Sequence, residues 1–209
     1  MDIINQVQIP EKSKDEIKNM LRLQCQKMGA EDKVEEVTNA THAFVDCAKG
    51  LVDVNQLKNE IEKAKPNGAL DEVFKKYCAK TPELKTCIHT LLDGVSPCLD
   101  ATARDQLTSA KNGSDQLIDF VCYKDGDRIA LFISEHGPEC FQDKANAIRE
   151  CANTIKDSVK TVEDAKNMTL TLSGCIVTAL EGCSTPTPSN MAESLFRYVR
   201  KGSPCSETP

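Results

Sequence analysis

Eleven cysteines, Cys25, Cys47, Cys78, Cys87, Cys98, Cys122, Cys140, Cys151, Cys175, Cys183 and Cys205, are spread along a chain of 209 residues. They constrain the fold more than any other feature, because paired sulfurs tie together segments far apart in sequence. No two stand as Cys-X-X-Cys, so zinc ribbons and thioredoxin-like motifs lack their spacing. Between Cys87 and Cys98 runs Ile-His-Thr-Leu-Leu-Asp-Gly-Val-Ser-Pro, a helix ending rather than a metal knuckle. The three histidines are scattered at 42, 89 and 136, and neither a metal site nor any other cofactor is expected. With no Trp, 3 Tyr and 6 Phe, the chain fits a disulfide framework reinforcing a modest core. Each bridge stabilises by roughly 2–4 kcal/mol, mainly by restricting the unfolded chain. All eleven cysteines are candidate partners, and an odd number leaves one thiol over. A buried, inert thiol in a monomer is expected, rather than a reactive group or a disulfide-linked dimer.

Such a framework persists in oxidising surroundings, so a secreted, extracellular protein is expected. The start Met1-Asp2-Ile3-Ile4-Asn5 lacks the basic and apolar regions of a secretory signal, which suits a mature form. Three Asn-X-Ser/Thr triplets, at Asn39, Asn112 and Asn167, fit the same compartment as glycosylation candidates. On a helical wheel Val34, Val37, Thr41, Phe44, Val45 and Ala48 share one face, and Asn39 lies opposite, toward solvent. Asn112 stands in an Asn-Gly pair expected to be an exposed turn. A formal charge of −6 without a basic cluster argues against nucleic-acid binding. No apolar run approaches the roughly 18 residues that span a bilayer.

Helical periodicity dominates, and no run alternates with period two. A first helix spans Glu11 to Met28, between Pro10 and Gly29, with Ile17, Met20, Leu21 and Met28 at helical spacing. A second covers about 31–48. Asp53 caps a third carrying Leu57 and Ile61, which ends before Pro66-Asn67-Gly68. Leu70 to Tyr77 follows. Thr81-Pro82-Glu83 opens a helix holding Leu84, Ile88, Leu91 and Leu92, with Thr81 as its cap. Residues 100–124 read as helical with an interruption at Asn112-Gly113. Asp127 caps the next helix, which stops at Gly137-Pro138, and 139–158, 161–182 and 188–201 complete the set. The expectation is an all-α, disulfide-braced bundle of about nine to eleven short helices in a single domain, 1–209.

A local recurrence stands out. Gly94-Val95-Ser96-Pro97-Cys98, Gly137-Pro138-Glu139-Cys140 and Gly202-Ser203-Pro204-Cys205 each follow an amphipathic helix, with Gly allowing a left-handed exit and Pro preventing continuation. Leu117 to Val121 and Leu195 to Val199 also resemble one another. Ancient duplication is one account, and convergent helix-stop chemistry is the other.

Three segments carry a family resemblance: Asp53-Val54-Asn55-Gln56-Leu57, Leu70 through Cys78, and Phe120-Val121-Cys122-Tyr123-Lys124-Asp125-Gly126-Asp127 with its apolar sequel to Ile133. They resemble the insect 27 kDa haemolymph glycoprotein family. Gly137-Pro138-Glu139-Cys140 and the closing helix to Pro204-Cys205 extend the match over nearly the whole chain. The resemblance implies a secreted, glycosylated, cysteine-rich plasma protein without established enzymatic activity, and it brings no catalytic residues. One departure is a cysteine that family members tend to show several residues before Cys175. Here Ala165-Lys166-Asn167-Met168-Thr169-Leu170 holds a glycosylation triplet instead. A lost partner accounts for the odd count without identifying the orphan.

No catalytic residues are expected. Gly-X-Ser-X-Gly elbows, P-loops, dinucleotide fingerprints and His-Glu-X-X-His are all absent. Asp125-Gly126-Asp127 invites a calcium reading, but Ile129, Leu131 and Ile133 occupy positions where an EF-hand loop needs oxygens. A turn with a helix cap explains it better. Cys122 or Cys151 as nucleophile would need a thiolate beside a base, which oxidised sulfurs do not supply. Glu35-Glu36 and Asp71-Glu72 read as solvated surface.

The apolar segments offer the sharper clue. Leu117 to Val121 and Ile129 to Ile133 form a hydrophobic helix–turn–helix, and the second is apolar nearly all round, which predicts a central helix. Phe74, Tyr77, Phe196 and Tyr198 are candidates to pack on it. Plain core packing is the ordinary reading. The functional one is a closed cavity for a hydrophobic small molecule such as a lipid, hormone or pigment, lined by Phe74, Tyr77, Leu117, Phe120, Val121, Ile129, Phe132, Ile133 and Phe196. The rival is a plasma interaction, defence or stress-response protein acting through its surface.

Overall fold

The structure is a computed structural model that describes residues 11–156 and 162–201. Helices joined by short connections make up the described residues, and no strand occurs among them, as the periodicity predicts. The chain divides into two compact units, residues 2–119 and 120–209.

The N-terminal unit begins with α1 (Glu11–Lys27), which ends at Gly29 with φ +65°. A 3₁₀ turn (Glu31–Lys33) leads into α2 (Val34–Leu51). Then follow α3 (Val54–Ala64), α4 (Leu70–Cys78) and α5 (Thr81–Val95). Asp53 caps α3 as expected, accepting from the Gln56 amide at 2.9 Å. Gly68, with φ +67°, closes the turn after α3. Thr81 is the first helical residue of α5, not its cap; Lys80 holds that position and its backbone carbonyl accepts the Leu84 amide.

The centre of this unit is α2 against α5, with α1 on α2 and α3 on α4. Cys25, Val37 and Cys98 form a buried cluster, surrounded by Leu21, Ala30, Val34 and Val95. Met20, placed with Leu21 by spacing, is instead exposed. Ile61, Ala64, Leu70 and Phe74 are buried on α3 and α4. Gly94 is helical, not a left-handed exit, and serves close approach: a Cβ there would overlap the Cβ of Ala40 on α2.

A short α6 (Ala101–Asp105), capped by Asp100, precedes α7 (Leu107–Val121). The break falls at Gln106, and α7 runs straight through Asn112-Gly113. A helix-interior glycine costs about 1 kcal/mol, but polar contacts to α5 on either side hold this one in place. Lys85–Asp119 (2.6 Å), His89–Asp115 (2.9 Å) and Asp93–Lys111 (2.6 Å) join every fourth residue of α5 to every fourth of α7, antiparallel.

The C-terminal unit contains the end of α7, a 3₁₀ turn (Tyr123–Gly126), α8 (Asp127–Ser134), α9 (Gly137–Asp143), α10 (Ala145–Lys156), α11 (Val162–Glu181) and α12 (Thr187–Lys201). Its main packing is α12 on α11 and α11 on α10. Leu180, Pro188 and Ala192 are buried. Asp127 opens α8 without capping it; Gly126 holds the cap position with φ +99°. His136 takes the left-handed conformation expected of Gly137. Gly137 instead starts α9, where a Cβ would overlap the Phe132 ring.

Two bridges nest in each unit. Cys25–Cys98 encloses Cys47–Cys87, and Cys140–Cys183 encloses Cys151–Cys175. Cys78 and Cys122 are disulfide-bonded as well, so all ten cysteines among the described residues are oxidised. Cys205 and its Gly-Ser-Pro-Cys motif lie outside the described residues.

Candidate functional site

The expectation of a central apolar helix at Ile129 to Ile133 does not hold. Ala130 is buried, Ile129, Phe132 and Ile133 are half-buried, and Leu131 is 52% exposed. The physical reason is length. Eight residues make about two turns, the left-handed Gly126 and His136 bracket them, and so short a helix packs only part of its circumference.

The remaining candidates fall in different places. Phe74 and Tyr77 sit on α4 of the N-terminal unit, Phe74 buried and Tyr77 half-buried. Burial pushes the Tyr77 phenol up, and the ammonium groups of Lys76 and Lys80 lie 5.1 and 5.8 Å from its ring centre. Leu117, in the same unit, is 46% exposed. In the C-terminal unit Phe120 is buried, Val121 is half-buried, and Phe132 meets Phe141 edge-on at 5.4 Å. Phe120 and Tyr198 rings lie 5.7 Å apart. The Arg128 guanidinium is 4.2 Å from the ring centres of both Phe120 and Tyr123, and donates to the Phe120 carbonyl at 3.2 Å. Arg128 thereby fastens the Lys124-Asp125-Gly126 turn, whose three residues all have positive φ.

Two hollows flank α12, and neither is closed. The smaller, about 170 Å³, lies between α12 and α8, with Phe120, Arg128 and Leu131 facing Thr187, Asn190, Met191 and Ser194. The larger, about 300 Å³, runs between α11 and α12. Leu170, Ser173, Gly174 and Val177 form its α11 wall; Glu193, Phe196, Arg197 and Arg200 form the other. Spacings of three and four bring these groups to one side of each helix. Arg197 donates to Glu193 one turn earlier. Two of the expected lining residues, Phe120 and Phe196, thus face hollows, one each, on opposite flanks of α12.

Sequence reasoning missed Leu170, Val177, Arg197 and Arg200. Their signal was the repeat at three and four residues on two helices, but nothing in the sequence pairs those two stripes. Of the glycosylation candidates, Asn39 and Asn112 are exposed, on α2 and α7; the Asn167 side chain lies outside the described residues. Among the described residues no group of three or more His, Cys, Asp or Glu is placed to hold a metal ion. No helix among them is long and apolar enough to cross a membrane.

These features define a disulfide-braced, all-α protein with solvent-open amphipathic grooves along its last helix. A family model described as "Protein of unknown function (DUF1397)" matches residues 11–205, and the chain belongs to that family. It is 58% identical over 207 residues to the 27 kDa hemolymph protein of Galleria mellonella, covering 95% of this chain and 88% of that one. It is 51% identical over 212 residues to the 27 kDa hemolymph glycoprotein of Manduca sexta, covering 98% and 91%. Against the 27 kDa glycoprotein of Bombyx mori it is 55% identical over 190 residues, covering 87% and 84%. The resemblance read from the sequence therefore holds. Neither the family's description nor these names designate an enzymatic activity. No solved structure matches the chain at a significant level.

Proposed function

We propose that this chain is a secreted haemolymph glycoprotein that acts without catalysis and carries a hydrophobic small molecule in the groove between α11 and α12. Ten oxidised cysteines suit an oxidising compartment, and the relatives' printed names carry "hemolymph" and "glycoprotein". Asn39 and Asn112 are the triplet asparagines whose exposure suits glycan attachment. The observation that carries the reading is the groove itself. Its roughly 300 Å³ lies at the low end of small-molecule sites, about 300–1,000 Å³. Leu170, Val177 and Phe196 give it apolar walls beside charged groups.

A second reading, action through the surface, draws on the exposed Tyr123 and Leu131. Native protein extracted with organic solvent and analysed by mass spectrometry separates the two. A carrier yields an apolar compound in a fixed ratio to protein. Protein that is empty and takes up no fluorescent lipid leaves surface action as the better account.

A further inference from the structure

We infer that the open hollow between α8 and α12 docks a segment of another protein. That segment presents one apolar side chain flanked by carboxylates: the side chain fills the hollow and a carboxylate meets Arg128. This rests on the surface reading, adds the partner's chemistry to it, and is independent of the groove between α11 and α12.

The hollow lies in an exposed apolar patch. Tyr123, Leu131 and Tyr198 are exposed large hydrophobic residues of the C-terminal unit, and all three adjoin one centre. The Tyr123 ring lies 4.2 Å from the Arg128 guanidinium, the Tyr198 ring lies 5.7 Å from Phe120, and Leu131 lines the hollow with Phe120 and Arg128. Helical spacing gathers them. Arg128 and Leu131 stand one turn apart on α8, and Thr187, Met191, Ser194 and Tyr198 form a single stripe of α12. Exposed apolar patches mark interaction sites, and aromatic residues, Met and Arg are the types enriched there.

Size selects the kind of occupant. The hollow holds about 170 Å³, well under the roughly 300 Å³ at which small-molecule sites begin. Open and shallow, it suits one side chain held in place by the rest of a partner, as anchor residues are at interface centres.

Charge selects the partner's chemistry. Arg128 is the one charged side chain among the described residues lining the hollow. It is half-buried, held by the Phe120 and Tyr123 rings and by the Phe120 carbonyl, and no carboxylate pairs with it among the described residues. Glu193, the acidic residue of α12, is taken by Arg197 and faces the other flank. A guanidinium has five N–H donors, and one carbonyl leaves most of them for a further acceptor. The ring contacts also fix its plane, so less freedom is lost when a carboxylate arrives. A carboxylate makes charge-assisted hydrogen bonds to these donors that a neutral amide cannot match.

The test titrates isotope-labelled native protein with two capped tripeptides, Glu-Phe-Glu and Gln-Phe-Gln, followed by NMR near neutral pH. The acidic probe is expected to bind about fivefold more tightly, the scale of a partly solvated ion pair, with shifts centred on α8 and the first half of α12. Added salt should remove that difference. Ser194→Glu adds a carboxylate at an exposed position and leaves the Arg128 contacts intact; it should reverse the preference. Leu131→Ser, also at an exposed position, should weaken both probes. Equal, salt-insensitive binding of the two probes overturns the acidic complement and leaves the surface reading standing. Shifts from neither probe overturn the docking site itself. Hexanoate binding as tightly as the acidic tripeptide, or a dimer in sedimentation that Leu131→Ser dissolves, would give the hollow to a small molecule or to a second copy and overturn the inference. The salt comparison needs no variant.

Discussion

Gly94 and Gly113 show how differently one residue type acts when its neighbours differ. Both lie inside helices, where glycine is entropically costly. At Gly94 the missing Cβ lets α5 approach Ala40 on α2. Gly94→Val should therefore destabilise the protein by about 2 kcal/mol through overpacking. Around Gly113 nothing lies within 4 Å. Gly113→Ala should stabilise by roughly 0.5–1 kcal/mol, and it preserves the Asn-X-Ser triplet. Chemical denaturation of the two variants checks both signs. Local sequence made the opposite forecast for each, a helix exit at 94 and a break at 113. Neither Ala40 nor the α5 partners of Lys111, Asp115 and Asp119 are near in sequence, so the close approach at Gly94 and the unbroken helix through Gly113 were both hidden.

Among the elements, the α3–α4 pair is fastened by charge as well as by Ile61, Leu70 and Phe74. Lys76 donates to Glu60 at 2.6 Å, and Gln56 donates to the same carboxylate at 2.9 Å. The Lys76 hydrogen bond, chief among several causes, holds the Glu60 carboxyl below its ordinary range; the same bond raises Lys76. A carboxyl lowered by folding adds stability above its unfolded value, and that stability is lost as pH falls through the folded value. For Lys76 the gain is present below its unfolded value and lost as pH rises through the folded one. Stability at neutral pH should therefore exceed stability in acid by a smaller margin in Glu60→Gln than in the native chain. Urea denaturation at a series of acidic pH values measures the margin, and an unchanged acid limb would refute the role given to Glu60. Elements of this kind were legible in the sequence, because capping at Asp53 and the 3.6-residue period are local. Their pairing was not.

For the whole molecule, the two units share one plan: an outer bridge around an inner bridge between two helices. The outer N-terminal bridge spans 73 residues and the inner C-terminal bridge 24. Chain entropy makes the longer closure worth more, about 4 kcal/mol against about 3. Replacing Cys25 and Cys98 by Ala should cost correspondingly more stability than replacing Cys151 and Cys175, measured by thermal or urea unfolding of the two double variants. The recurring segments that run from a Gly through a Pro to a Cys fall at unequal places in this plan. Cys98 ends the N-terminal outer loop, whereas Cys140 begins the C-terminal one. The nested bridges, not the recurring Gly-to-Cys segments, are the form a duplicated unit would take.

From the sequence alone came the helical class, the oxidised framework and the family, because periodicity, cysteine dispersal and extended resemblance are properties of the chain taken in order. Tertiary structure decided which sulfurs pair, which glycines are close contacts, and where the grooves lie. Phe196 was legible as a candidate. Arg197 and Arg200 came to line a groove only when α11 packed on α12 and set an apolar stripe beside them. Contact between residues distant in sequence depends on how helices cross, and a hydrophobic period specifies a helix's buried face without naming what buries it.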